Sequence, residues 1–226
     1  VVANTGSKVL QSGNHLLTTV GMRIGGDVTY ALEGSVFVAG SAMQWLRDEL
    51  RIIESAPESE AIAARTGIVE DVCVVPAFAG LGAPYWDPDA RGAILGLTRG
   101  SGRDEIVTAT LQSVAFQTCD LIDAMADDGM RPSVIRVDGG MVANDWFLQF
   151  LADVLDIPVE RPDNVESTVL GAAYLAGYQA GIVTSPADIG NLWRRDALFE
   201  PRMQAAQRAR LLEGWRDAVR RVRSGR

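Results

Sequence analysis

The sequence predicts an α/β protein built on a mixed sheet with helices on both faces, from three observations. Segment 1–34 alternates short β-branched runs with Gly and Asn, as antiparallel strands joined by turns do. Further on, apolar residues recur at helical spacing, most clearly Val107, Leu111, Val114, Thr118, Ile122 and Met125. Between such stretches stand short apolar runs that end in Gly or Pro. An antiparallel start followed by helix, strand, helix, strand, helix gives a sheet with both pairing senses.

Taken in order, "NTGSK" and "NHLLTTVGMRIGGDVTYALEG" read as strands, with Gly25-Gly26-Asp27 as the hairpin turn. A helix is expected over roughly 35–53 and a shorter one near 58–65. "DVCVVPAF" is a buried strand, followed by the turn-rich "AGLGAPYWDPDARGAILGLTRG". A long helix runs from about Arg103. "VIRV" is a strand that meets Gly139-Gly140, after which a helix reaches about Leu155. "IPVERP" is a short strand, "STVLGAAYLAGYQAG" a helix with small residues along one side, and a helix closes the chain. No linker or repeat divides the 226 residues, so 1–226 is read as one domain with a sizeable core.

Composition narrows the partners. No apolar run approaches the ~20 residues that span a bilayer, and "VVANTGSKVL" lacks the parts of a secretion signal. The chain starts on Val in mid-pattern and is expected to be a piece of something longer. Cys73 and Cys119 lie far apart in apolar stretches, which suits reduced thiols in a cytoplasmic protein. Net charge is −8, yet from Arg202 onward eight Arg oppose only Glu213 and Asp217, a local +6 that leaves −14 elsewhere. The acidic body argues against nucleic acid. The basic tail suits an anionic partner or, more simply, a solvated helix with Leu211, Leu212, Trp215 and Val219 on its buried stripe. Lys8 is the only lysine, which excludes a Gly-Lys-Ser/Thr phosphate loop.

Two places share a spacing. At the end of "VIRVDGG", Gly139 and Gly140 expose peptide N–H groups where ligands of open α/β sheets bind, and Asn144 follows Gly140 by four residues. The same residues also suit a tight turn with Asn144 as an N-cap. In "VFVAGSAMQWLRDEL", Gly40 precedes Gln44 by four, one turn on. Glycine inside a helix costs about 1 kcal/mol relative to Ala, so either a ligand or a neighbouring helix comes close there. Asp87, Asp89, Arg91 and Arg99 in the long loop offer acid and base, but Asp-Pro-Asp is good turn chemistry and Tyr85 and Trp86 can anchor a loop. His15, the only histidine, has no nucleophile or metal cluster beside it in sequence, and no zinc spacing appears.

"YALEGSVFVAGSAMQWLRDEL", "VVPAFAGLGAPYWDPDARGAILGLTRG", "RVDGGMVANDWFLQFLADVL" and "VERPDNVESTVLGAAYLAG" together resemble the C-terminal domain of the FGGY carbohydrate kinases, within the actin-like ATPase (ribonuclease H-like) superfamily. The likeness runs from "NTG" to the terminal helix, and "APYWDPDARG" with "GLTRG" resembles the members that act on glycerol. It implies that ATP or ADP with Mg²⁺ lies against this domain, contacted by Gly40, Gln44, Gly140 and Asn144, with Gly139 supporting the turn. Gly171 and its small neighbours would let their helix pack beside that pocket. Glycerol, the catalytic aspartate and the "TGT"-like phosphate turn would belong to segments outside this chain, so no catalytic or metal-binding residue is expected here. The implied protein is a cytoplasmic homo-oligomer that binds neither nucleic acid nor membrane, and this chain alone would not turn over. Two alternatives stand: half of a xylulose or gluconate kinase, or a free-standing nucleotide-binding interaction module.

Overall fold

A computed structural model describes residues 1–185, 190 and 193–225. The β-branched start forms an antiparallel sheet ordered β1 (Val2–Gly6), β3 (Asp27–Glu33), β2 (Leu17–Ile24). The turn expected at Gly25-Gly26-Asp27 spans two residues, since Asp27 already pairs with Ile24, and Gly25 sits at φ +61, a value glycine tolerates and tight hairpins require. Ala31 and Leu32 on the central strand are buried, while β2 stays largely exposed.

Two helices follow: α1 (Gly40–Asp48) and α2 (Glu58–Thr66). The first is half the expected length. Residues 35–39 are apolar enough to extend the helical pattern, but the chain enters α1 through Ala39 at φ −119, outside helical geometry. The helix stops before Arg51, which adopts φ +54. β4 (Cys73–Val75) pairs antiparallel with β5 (Ala93–Leu95), a three-residue strand hidden inside the turn-rich stretch.

The 25-residue α3 (Arg103–Asp127) is the axis of the molecule. Its start is marked by Glu105, whose carboxylate accepts from the Gly102 N–H at 2.8 Å. Beyond it, β6 (Ile135–Arg136) leads to a 3-10 turn (Gly140–Ala143) and α4 (Asp145–Leu155). β7 (Val159–Pro162) pairs parallel with β6 and antiparallel with β8 (Arg195–Phe199). The α/β class holds, but among the described residues hydrogen bonding divides the strands into three sheets, of which only β6–β7–β8 mixes parallel and antiparallel pairs.

The last helix, α6 (Ala205–Val222), buries Leu211, Trp215, Ala218 and Val219, with Leu212 half-buried beside them. Trp215 stacks on Phe116 of α3 at 5.6 Å, and Phe116 meets Phe150 of α4 edge-on at the same distance, so three helices share one aromatic centre. The arginines on the outer face of α6 pair with acids elsewhere: Arg208 with Asp156, Arg210 with Glu70 and Arg216 with Asp123. That is the solvated-helix reading of the basic tail. A second apolar cluster, including Val38, Leu46, Ile62 and Leu111, clamps α1 and α2 to α3. Met141 and Trp146 pack against both clusters and so fix the start of α4 relative to α1 and α2.

One helix departs from expectation. α5 (Ser167–Gln179) has no buried residue, and a Cβ built on Gly171 would meet no atom within 4 Å. Around Gly171 the small residues therefore meet no close neighbour among the described residues, and only near the end of the helix does one come close, Val183 beside Gly177. No helix among the described residues is long and apolar enough to cross a membrane.

Candidate functional site

α1 and the 3-10 turn before α4 open on one cleft of about 570 Å³. Along α1, Gly40, Met43, Gln44 and Arg47 line it, the spacing that puts residues on one helix face. Opposite stand Asp138, Gly140, Met141 and Asn144, and the third wall is formed by Pro57, Ser59 and Glu60 of the α2 end. The two glycine-plus-four sites thus face each other. A Cβ on Gly40 would lie 3.7 Å from Met141 Cγ, in ordinary contact.

Gly40 is the first residue of α1, not an interior one, so the cost of an interior glycine does not apply. α1 has no side-chain cap and no acid in its first turn, so its own first turn leaves its leading N–H groups unneutralised, and Ala39 and Gly40 at that end line the cleft. Gly139 and Gly140 differ in kind. Gly139 sits at φ +84, donates its N–H to Val165 O at 2.9 Å and lies outside the cleft lining; it shapes the turn. Gly140 has no such φ, and a Cβ there would meet nothing within 4 Å. Nothing in the chain requires glycine at 140, yet its bare main chain faces the cleft.

Asn144 does what an N-cap does: Oδ1 accepts from Phe147 N at 2.8 Å. Its Nδ2 forms no hydrogen bond among the described residues, and neither does the exposed amide of Gln44. Sequence reasoning missed Glu60, whose Oε1 accepts from Asp145 N at 2.9 Å and ties α2 to the start of α4 beside the cleft. It also missed Asp138, although that residue directly precedes the glycine pair. Arg47, the lining's cation, is held in a two-pronged pair with Asp48 at 2.6 and 2.8 Å. No group of three or more His, Cys, Asp or Glu residues suited to a metal occurs among the described residues.

The long loop is structural. Asp87 accepts from Asp89 N and Ala90 N at 3.1 Å, and from Ser224 N and Oγ at 2.7 and 2.9 Å. The Ser224 main-chain bond is the leading cause that holds its carboxyl below the usual range. Arg91 donates to the carbonyls of Pro88 and Ala90. Trp86 Nε1 donates to His15 O at 2.7 Å, so the exposed His15, at φ +63, is a turn residue that anchors the loop. Beneath it, Asp120 accepts from Trp215 Nε1 at 2.8 Å; burial is the main cause that pushes its carboxyl up to about 6. A smaller cavity of about 200 Å³ lies between α6 and β4, and Cys73, whose thiol burial pushes up to about 12, lines it. None of the residues singled out as ligand-binding reaches that cavity.

The chain is similar to glycerol kinase of Ectopseudomonas mendocina, 59% identical over 225 residues, which is 99% of this chain and 46% of that protein. Glycerol kinase 1 of Pseudomonas aeruginosa is 55% identical over 224 residues, 99% of this chain and 45% of that protein. This chain therefore spans less than half the length of these relatives. Among solved structures it resembles Plasmodium falciparum glycerol kinase with ADP, with a TM-score of 0.88 and 37% identity over 98% of this chain and 44% of that one. The xylulose kinase of Lactobacillus acidophilus, at 21% identity and a TM-score of 0.82 over 99% of this chain and 45% of that one, shows the shared fold, the actin-like ATPase fold of the sugar kinases. The model of the FGGY family of carbohydrate kinases, C-terminal domain, matches residues 1–180, and the chain belongs to that family.

Proposed function

We propose that this chain is the nucleotide-binding half of an ATP-dependent kinase that phosphorylates glycerol to glycerol 3-phosphate. One observation carries the nucleotide reading: Gly140, which neither conformation nor packing requires, faces Gly40 across a cleft edged by unneutralised helix N–H groups. Bare main chain at both places suits the flat adenosine and the phosphates that follow it. The amides of Gln44 and Asn144 are free to hydrogen-bond the same ligand, and the cleft volume lies in the range of small-molecule sites. The glycerol kinase structure that holds ADP supports this reading. The relatives at 53–59% identity favour glycerol over the sugars of more distant kinases.

Mg²⁺ supplies charge neutralisation to the phosphates when bound. The ion would come with the nucleotide, held by its phosphates. This chain's own residues would bind and orient the nucleotide and cover one side of it. The proton acceptor and the glycerol contacts would come from the rest of the protein, and the two halves would close to exclude water. The free cysteines support a reducing, cytoplasmic setting, and the exposed apolar Val2, Leu17 and Val20 of the first sheet support self-association.

The test is calorimetric titration of the chain with Mg–ADP, beside Gln44→Ala and Asn144→Ser. The serine keeps an oxygen for the α4 cap and removes only the amide donor. Saturable binding that weakens about tenfold in either variant, about 1.4 kcal/mol, is expected. A folded chain that takes up no nucleotide would overturn the reading. Phosphorylation of glycerol in preference to xylulose or gluconate by the whole protein checks the substrate.

A further inference from the structure

We infer that Arg161 of β7 is a positioning residue for the nucleotide site, one that fixes Asn144 by gripping the chain on both sides of it; this rests on the nucleotide reading above. Its Nη1 donates to Val142 O at 3.1 Å and to Asp145 Oδ1 at 2.6 Å. Those residues stand two before and one after Asn144. Its Nε donates to Asp196 Oδ2 of β8 at 2.8 Å, and its guanidinium lies 5.7 Å from the Phe199 ring centre. One rigid group thus joins the middle and edge strands of the mixed sheet to the turn at the cleft.

The geometry suits a brace. The Arg161 side chain is 17% exposed whereas Asp145 is 63% exposed, so the guanidinium is the fixed partner and the turn the part that is held. A 3-10 turn four residues long leaves carbonyls that its own hydrogen bonds do not satisfy, and the guanidinium takes that of Val142. Asp145 is the first residue of α4, where a carboxylate is favoured by the helix dipole; the ion pair then sets where that carboxylate, and with it the helix start, must sit. From the cleft side Glu60 accepts the Asp145 N–H at 2.9 Å. Asn144 therefore stands between Val142, held by Arg161 as well as by its own bond to Gly139 O and its burial, and Asp145, held by Arg161 and Glu60 together. Its cap bond to Phe147 N fixes Oδ1, and what remains adjustable is the direction of Nδ2. Arg161 itself does not line the cleft, so it acts through the turn.

Lysine cannot replace this arrangement, since a single ammonium cannot serve the turn and Asp196 from opposite edges of one plane. Mg–ADP affinity, measured calorimetrically on the full chain, tests the inference in wild type, Arg161→Met, Arg161→Lys and Asp145→Asn, with Arg195→Gln as control. Arg195 pairs with Glu160 on the same sheet at 3.0 Å and does not contact the turn. Arg161→Met is expected to weaken binding about 10- to 100-fold, the scale of misplaced supporting groups. Arg161→Lys should recover little of that loss, and Asp145→Asn, exposed and safe for folding, should lose about tenfold on the same scale. Arg195→Gln should stay within about twofold, less than the 1.4 kcal/mol of a tenfold change. Equal affinity in Arg161→Met or Asp145→Asn, or an equal loss in the Arg195 control, overturns the inference while wild-type binding keeps the nucleotide reading intact. Absence of binding in wild type overturns both.

Discussion

Replacing each glycine of the pair by alanine in turn separates the two roles that adjacent identical residues play. At Gly140 the backbone is compatible with an L side chain and a methyl group meets no protein atom within 4 Å. Gly140→Ala is therefore expected to raise stability by about 0.4–1 kcal/mol through the less mobile unfolded chain. For a chain of this size that is an increase in Tm of roughly 1–4 °C. The methyl would nevertheless stand in the cleft, and Mg–ADP affinity should fall about tenfold or more, at least 1.4 kcal/mol. At Gly139 the φ of +84 makes alanine strained, at a cost of roughly 1–2 kcal/mol. Thermal melts of the two variants and wild type, paired with calorimetric titrations of each, give both quantities. The signature is opposite signs at 140: more stable, less able to bind. If Gly140→Ala binds Mg–ADP as wild type does, no ligand touches that main chain and the reasoning from its emptiness is wrong. If it melts lower than wild type, the packing picture is wrong instead.

Two further outcomes concern the core. Asp120 is buried, and its carboxyl titrates near 6 in the folded chain against 3.8 in the open one. The folded state therefore holds the proton more tightly, and stability falls as pH rises from about 4 through about 6; Asp120→Asn should gain about 1–3 kcal/mol at pH 8 and almost nothing at pH 4, read by urea denaturation. Gln112, also buried, accepts from Val69 N at 2.8 Å and donates to Val69 O at 2.9 Å; Gln112→Leu strands both backbone groups and should cost about 2–4 kcal/mol in the same assay.

Much of this was legible in the residues because it depends on local pattern. The apolar spacing of α3 located its start at about Arg103, and the Gly25-Gly26 pair located the hairpin. β5 and β8 were not legible. Three residues of "AIL" within a Gly-rich loop carry no alternation, and "RDALF" gains its strand from pairing with β7, a partner some forty residues away in sequence. α1 was drawn too long because Val36 and Val38 extend the apolar pattern into residues that approach the helix without joining it. At the site, the repeated glycine-plus-four spacing picked out residues on two of the three walls of the cleft. Glu60 and Arg161 went unread because their roles arise only when α2 and β7 meet the start of α4. The exposure of α5 was likewise invisible, since small apolar residues read the same whether or not something covers them.

The tie between Asp87 and Ser224 has a consequence in time. The two are 137 residues apart in the chain, so at the speed of a ribosome the carboxylate waits on the order of ten seconds for its last two donors to be made. Until then the loop is held by its other contacts, among them Leu81, Ala83 and Ala90 in the main core and the edge-on meeting of Trp86 with Phe37. A polypeptide that stops short of Ser224 would leave the Asp87 carboxylate without those two donors, though every residue of the loop has long since been translated. The loop thus reports whether the chain has been made as far as Ser224, and proteolytic nicking near Trp86 should be faster in chains that stop before it than in chains that reach it.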